Sequence, residues 1–232
     1  MSPNYLVTPS MLMTPTVALL ALIPVAYLLG SIPFGLIVGL SKGIDPRTAG
    51  SGNIGATNVG RLLGGKFFAI VFTLDLLKGL IPMLLAAVIL RGEARNQSQY
   101  VLWLLIGFAT ILGHMFSLFL KFKGGKGVAT TLGVALGVFP YYTLPALVAA
   151  AGFVAIFLIS RIVSISSIGA VAVFLVAYIT MGLLLNWDIL GSQLPLLVFA
   201  ILLCILIVYR HRSNIARLRA GTENRFSRST HK

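Results

Sequence analysis

With 232 residues, 58% of them hydrophobic, and a mean hydropathy of +0.98, the chain carries more apolar surface than a water-soluble core of this length could enclose. Eighteen basic residues oppose five acidic ones, but the basic ones fall between apolar runs. There they set orientation in a membrane, and the charge requires no nucleic acid partner.

The composition predicts an all-α, polytopic membrane bundle. Apolar runs occupy 16–40, 66–90, 100–120, 127–141, 145–160, 163–185 and 194–209. The first fifteen residues contain no Lys or Arg and so lack the basic start of a signal peptide; they read as an external extension. A straight crossing takes about 20 residues, so the fourth and fifth runs are short. Pro140 and Pro145 separate them, since proline removes a backbone donor and ends a helix. Two tilted spans would give seven transmembrane helices; one re-entrant hairpin would give five. Within the first run, Gly35 and Gly39 are spaced for close helix packing. Asp75 and Lys78 lie inside the second run at i, i+3, a spacing that favours a structural ion pair. Cys204, the single cysteine, reads as a small core residue of the last run.

The charges predict the orientation. Fifteen basic residues follow the first, third and fifth runs or lie in the tail, against Arg91 and Arg95, with Glu93, on the opposite side. The positive-inside rule then puts the C-terminus and the polar loops in the cytoplasm and the N-terminus outside.

Three polar stretches on that predicted cytoplasmic side carry the chemistry. The first, DPRTAGSGNIGATNVGR from Asp45 to Arg61, has glycines that let the main chain approach a ligand. Ser51, Asn53, Thr57 and Asn58 add neutral hydrogen-bonding groups, and Arg47 and Arg61 add donors suited to phosphate. The second runs from Gly113 to Gly127 and ends in Lys121-Phe122-Lys123-Gly124-Gly125-Lys126-Gly127. A glycine-rich turn before a helix can form an anion-binding nest, although the Walker A spacing is absent and ATP is not implied. His114 adds a group that titrates near neutral pH. The third begins at Arg210 and sets His211 and Asn214 at i, i+3 on one helix face. Glu223, the one acid of the tail, reads as the partner of a nearby arginine.

Absences narrow the chemistry. No Asp stands five residues after His114 or His211, so the His-x-x-x-x-Asp acyltransferase dyad is excluded. There is no Gly-x-Ser-x-Gly elbow or loop cysteine, and acids are too few for a carboxylate metal cage. No metal or cofactor is expected.

Taken together, these motifs resemble the bacterial acyl-phosphate:glycerol-3-phosphate acyltransferase family, PlsY. The likeness runs from Gly30-Ser31-Ile32-Pro33 through GSGNIGATNVGR, Asp75-Leu76-Leu77-Lys78-Gly79, Gly113-His114, FKGGKGVAT and RHRSNIARL to Thr222-Glu223. It implies one acyltransferase domain over 1–226 with a tail at 227–232, in a bacterial inner membrane with the site facing the cytoplasm. The implied reaction moves a fatty acyl group from acyl-phosphate to the 1-hydroxyl of sn-glycerol 3-phosphate, giving lysophosphatidic acid and phosphate. Ser51 and Arg61 are then critical to activity, Gly124, Gly125, Lys126 and Gly127 bind glycerol phosphate, and His211 and Asn214 are active-site polar groups. Arg47, Asn53, Thr57, Asn58, His114 and Lys123 complete the candidate substrate-binding set. Glu223 would be chiefly structural. The soluble enzyme that makes acyl-phosphate is a candidate partner. The rival reading from the residues alone is a transporter or channel for a phosphorylated anion, since basic glycine-rich loops could also steer a solute.

Overall fold

The structure is a computed structural model that describes residues 14–90 and 97–226. The extension at 1–13, the charges Arg91, Glu93 and Arg95, and the tail at 227–232 lie outside the described residues. Among the described residues, ten α-helices follow in chain order: α1 (Pro15–Ser31), α2 (Phe34–Leu40), α3 (Ala56–Leu63), α4 (Gly65–Ile89), α5 (Gln97–Met115), α6 (Val128–Gly137), α7 (Thr143–Ser160), α8 (Val163–Leu184), α9 (Leu194–Arg210) and α10 (Arg212–Arg219). A 3₁₀ turn at Leu118–Leu120 follows α5, and no strand occurs among the described residues. The all-helical membrane bundle expected from composition is the observed architecture.

The bundle is apolar on its outside as well as its inside. Ile159 is 86% exposed and Leu184 75% exposed on opposite stretches of the chain. In water such surface would drive association; against lipid tails it has no cost.

Among the described residues, five helical segments are long and apolar enough to cross a bilayer: Pro15–Leu40, which joins α1 and α2, then Gly65–Ile89, Gln97–Leu120, Thr143–Ser160 and Val163–Leu184. The pair α9 and α10 makes a sixth if both sides of its 55° bend are counted as one. The run at 127–141, already short in the sequence, does not make a full span. It forms only α6, ten residues long, which at 1.5 Å per residue rises about 15 Å, half the thickness of the hydrocarbon. The chain then turns through Val138 and Tyr142, both fully buried, and Tyr142 donates its hydroxyl to the Leu196 carbonyl. Val138 is thus apolar because it packs on protein, while Phe139 beside it stays exposed. Tyr142 stands edge-on to Phe174 and Tyr178, a cluster that closes the interior on that side.

Two glycine seams draw the inner helices together. Gly79 of α4 faces the Thr130 carbonyl and Gly133 of α6 faces the Leu76 carbonyl, so any side chain there would collide with backbone. Gly30 and Gly113 do the same for α1 against α5. Gly35 and Gly39 serve a different purpose from the expected helix packing. A side chain at Gly35 would meet the Ile54 carbonyl and one at Gly39 the Pro46 ring, so α2 is thinned to seat the loop that follows it.

The ion pair inside α4 forms as the spacing predicts: Lys78 Nζ lies 2.8 Å from Asp75 Oδ1, with both side chains buried. Lys78 also donates to the Ile32 carbonyl (2.9 Å) at the break between α1 and α2, and His114 Nδ1 stands 3.6 Å from Asp75 Oδ1. Burying charge this deeply is tolerable only with such partners.

Candidate active site

The 45–61 loop is organised by one amide. Asn58, almost wholly buried at the start of α3, donates from Nδ2 to the carbonyls of Pro46 and Ala49 (both 3.0 Å). Its Oδ1 accepts from the Ser51 N–H at 2.8 Å. Gly50 must be glycine here: its φ is +62°, and a Cβ would strike Asn58 Oδ1. Asn53 accepts from the Gly55 N–H at 2.8 Å and turns the chain into α3. Arg47 is exposed and bidentate to Asp45, its Nη2 2.7 Å from Oδ2.

The second loop leaves the end of α5. The Lys123, Gly124 and Gly125 N–H groups donate to the carbonyls of Leu120, Met115 and His114 respectively. The anion nest anticipated at these groups is therefore filled by the protein's own oxygens. Lys126 turns inward, and its Nζ donates to Asn214 Oδ1 at 2.5 Å. Burial pushes the Lys126 ammonium down to about 8; the Glu223 carboxylate opposes that shift, while Arg217, Arg61 and Arg210 add to it.

At the 55° bend beyond α9, His211 and Asn214 are both buried. His211 Nδ1 lies 2.7 Å from the Ile207 carbonyl. A carbonyl only accepts, so Nδ1 carries the proton and Nε2 keeps its lone pair. Burial pushes the imidazole down to about 4, against the opposing Ile207 bond, so it is neutral at physiological pH. Asn214 passes Lys126 on to Glu223, donating from Nδ2 to Oε1 at 2.5 Å. Ser164 donates to the same oxygen (2.8 Å) and Arg217 Nε to Oε2 (2.7 Å). Burial opposes ionisation of Glu223, but these three donors outweigh it and hold the carboxyl below its ordinary range. Arg61 reaches the Asn224 carbonyl (3.4 Å) and lies over the Phe226 ring, so the segment after α10 closes on α3.

These groups border one cavity of about 640 Å³. Ser51, Asn53, Thr57, Asn58, Arg61, His114, Lys126, Gly127, His211 and Asn214 all line it; Arg47, Lys123, Gly124 and Gly125 do not. Away from the polar groups the same cavity continues between α6, α7, α8 and α9, walled by Leu132, Phe153, Phe157, Val171, Phe174 and Leu203. Sequence reasoning missed Ser164 and Arg217 as lining groups. A signal for Ser164 was present, since Ser164, Ser166 and Ser167 interrupt an apolar run at the start of α8. Nothing local marks Arg217 out from the other tail arginines.

A multi-pass membrane protein whose cavity is cationic at one end and apolar at the other is equipped to handle an amphiphile with an anionic head. The family model described as glycerol-3-phosphate acyltransferase matches residues 20–221. The glycerol-3-phosphate acyltransferase of Aquifex aeolicus (strain VF5) is 45% identical over 208 residues, covering 89% of this chain and 98% of that protein. Its counterpart in Geotalea daltonii (strain DSM 22248 / JCM 15807 / FRC-32) is 46% identical over 207 residues, covering 88% and 95%. The crystal structure of PlsY (YgiH), an integral membrane glycerol 3-phosphate acyltransferase, in its glycerol 3-phosphate form aligns with a TM-score of 0.77 at 43% identity, over 90% of this chain and 96% of that one. This chain belongs to the glycerol-3-phosphate acyltransferase family and is an integral-membrane enzyme. The transporter reading gives way to it.

Proposed function

We propose that the cavity holds a fatty acyl-phosphate and sn-glycerol 3-phosphate together and transfers the acyl group directly between them. The observation that carries this is the continuity of one cavity from the Lys126–Asn214–Glu223 chain to the apolar walls of α7, α8 and α9. An acyl chain fits the walls, and phosphates fit the cations. Similar proteins whose structures contain glycerol 3-phosphate and lysophosphatidic acid support the pairing of acceptor and product.

The donor is a mixed anhydride, so the chain's own residues have only to bind, orient and stabilise charge. Lys126 binds the acceptor phosphate; Arg61 and Ser51 serve the donor phosphate. The 1-hydroxyl oxygen attacks the acyl carbon, the bond from that carbon to the phosphate oxygen breaks, and lysophosphatidic acid forms. His211 Nε2 accepts the hydroxyl hydrogen bond and aims the oxygen. The departing phosphate, a stronger base than a neutral imidazole, takes the proton and leaves as hydrogen phosphate. No step requires a side-chain nucleophile.

The reading includes a bacterial cytoplasmic membrane with the cavity's polar end toward the cytoplasm, as the fifteen basic residues favour. Single cysteines at Lys123 and Ser213, in a Cys204→Ala background, should resist an impermeant thiol reagent in intact cells, and one at Ser98 should react. Labelling of Ser213→Cys from outside would reverse the orientation.

Direct transfer is tested by mixing enzyme with labelled acyl-phosphate and no acceptor, quenching in denaturant and weighing the protein by mass spectrometry. An unmodified mass is expected. A stoichiometric acyl adduct that glycerol 3-phosphate chases into product would replace direct transfer with a covalent route, and its position on Ser51 would make that residue the nucleophile.

A further inference from the structure

The loop that carries Lys126 is gripped from two sides by residues of other helices. On one side, the Met115 and His114 carbonyls at the end of α5 accept from the Gly124 and Gly125 N–H groups (both 3.1 Å). The His114 ring packs against Gly125 so closely that a Cβ there would collide with Nε2. On the other side Arg210, the last residue of α9, donates from Nη2 to the carbonyls of Gly125 (2.6 Å) and Gly124 (3.2 Å). Its guanidinium lies 5.3 Å from the centroid of the Phe116 ring. Behind His114, Asp75 Oδ1 lies 3.6 Å from Nδ1, and Lys78 joins Asp75 to the Ile32 carbonyl at the α1–α2 break.

We infer that His114, braced by Asp75, and Arg210 form a clamp on Gly124–Gly125 that sets where Lys126 meets the acceptor phosphate. His114 borders the cavity, but Nδ1 faces Asp75 and Nε2 faces Gly125, so both ring nitrogens are turned toward protein. We therefore read it as a positioning residue rather than as a member of the candidate substrate-binding set. Arg210 likewise acts through geometry: Nη2 alone reaches both carbonyls while the planar guanidinium lies over the Phe116 ring, a stacked placement that a lysine ammonium does not reproduce.

The inference rests on the reading of Lys126 as the acceptor-phosphate ligand, and the experiment separates the two. Steady-state kinetics are measured on the purified full-length enzyme for Lys126→Ala, His114→Ala, Arg210→Lys and the two doubles with Lys126→Ala. Lys126→Ala is expected to raise KM for glycerol 3-phosphate about tenfold; an unchanged value would reject the ligand reading itself. With that established, His114→Ala and Arg210→Lys should each raise the same KM about fivefold, leave kcat and the donor KM within about twofold, and add nothing to Lys126→Ala. Effects that multiply with Lys126→Ala, or a wild-type Arg210→Lys, would overturn the clamp. A steric variant covers the case in which His114→Ala alone perturbs folding. Gly125→Ala should show the same selective KM defect, and removing the ring in Gly125→Ala/His114→Ala should relieve the collision and leave the double no worse than His114→Ala. A double that is worse than both singles would equally overturn it.

Discussion

The two glycine-rich loops at the cavity are built on opposite plans. The 45–61 loop fastens itself: Asn58 binds Pro46, Ala49 and Ser51, Asn53 binds Gly55, and Arg47 binds Asp45. The 121–127 loop is fastened by its surroundings, through the carbonyls of α5 and through Arg210, 85 residues further along the chain. A self-fastened loop can be damaged by one internal substitution. A loop held from outside keeps its shape only while the bundle holds its distances, and its lysine is tuned by the same burial.

The largest effect should come from breaking the first plan at its centre. Asn58→Ala leaves the Pro46 and Ala49 carbonyls and the Ser51 N–H without their partner, each worth about 1–3 kcal/mol where buried. Activity should fall by about a hundredfold or more and thermal unfolding should begin earlier, readable in detergent by a melting curve beside the assay. A wild-type melt with full activity would show that the loop does not depend on this amide.

Lys126→Ala comes next, with a KM for glycerol 3-phosphate raised about tenfold, the size of one charged hydrogen bond. Lys66→Ala, at an exposed position, should barely alter it; equal effects would mean the site responds only to general positive charge.

The pH profile sharpens the contrast. Burial holds the Lys126 ammonium at about 8, so the charged form that attracts phosphate is present below that value and lost above it. KM for glycerol 3-phosphate should rise about tenfold between pH 7 and pH 9 in the wild type, and the profile should flatten in Lys126→Ala. A slope that survives the substitution would assign the titration to another group.

The smallest effect belongs to Arg47. Its ion pair with Asp45 is exposed, and such pairs are worth about 0–1 kcal/mol. Arg47→Ala should change either KM by no more than about threefold; a loss as large as that of Lys126→Ala would make Arg47 a substrate ligand after all.

The same contrast explains what the sequence could disclose. Long apolar runs announced the helices, because lipid imposes a length on anything that crosses it. Hydropathy could not tell lipid from protein interior, however. Val138 read as part of a span, yet it packs inside the bundle just past the end of α6, which is only ten residues long. The three motifs were visible because each gathers glycine, amide and cation within one short stretch. Arg217 and the loop contacts of Arg210 were not, since each depends on a partner set by the fold; the serines at the start of α8 were visible, but not that Ser164 meets Glu223 across 59 residues. Arg47 shows the opposite case, a donor suited to phosphate that the local turn pairs with Asp45.

The central claim is that one cavity takes a phosphate-activated acyl chain and delivers it to a phosphorylated acceptor. Purified enzyme supplied with labelled glycerol 3-phosphate should make lysophosphatidic acid from palmitoyl-phosphate, releasing one inorganic phosphate per product, and none from the palmitoyl thioester. Product formed from the thioester alone would contradict the account, because the cations placed for the donor phosphate would then have nothing to bind.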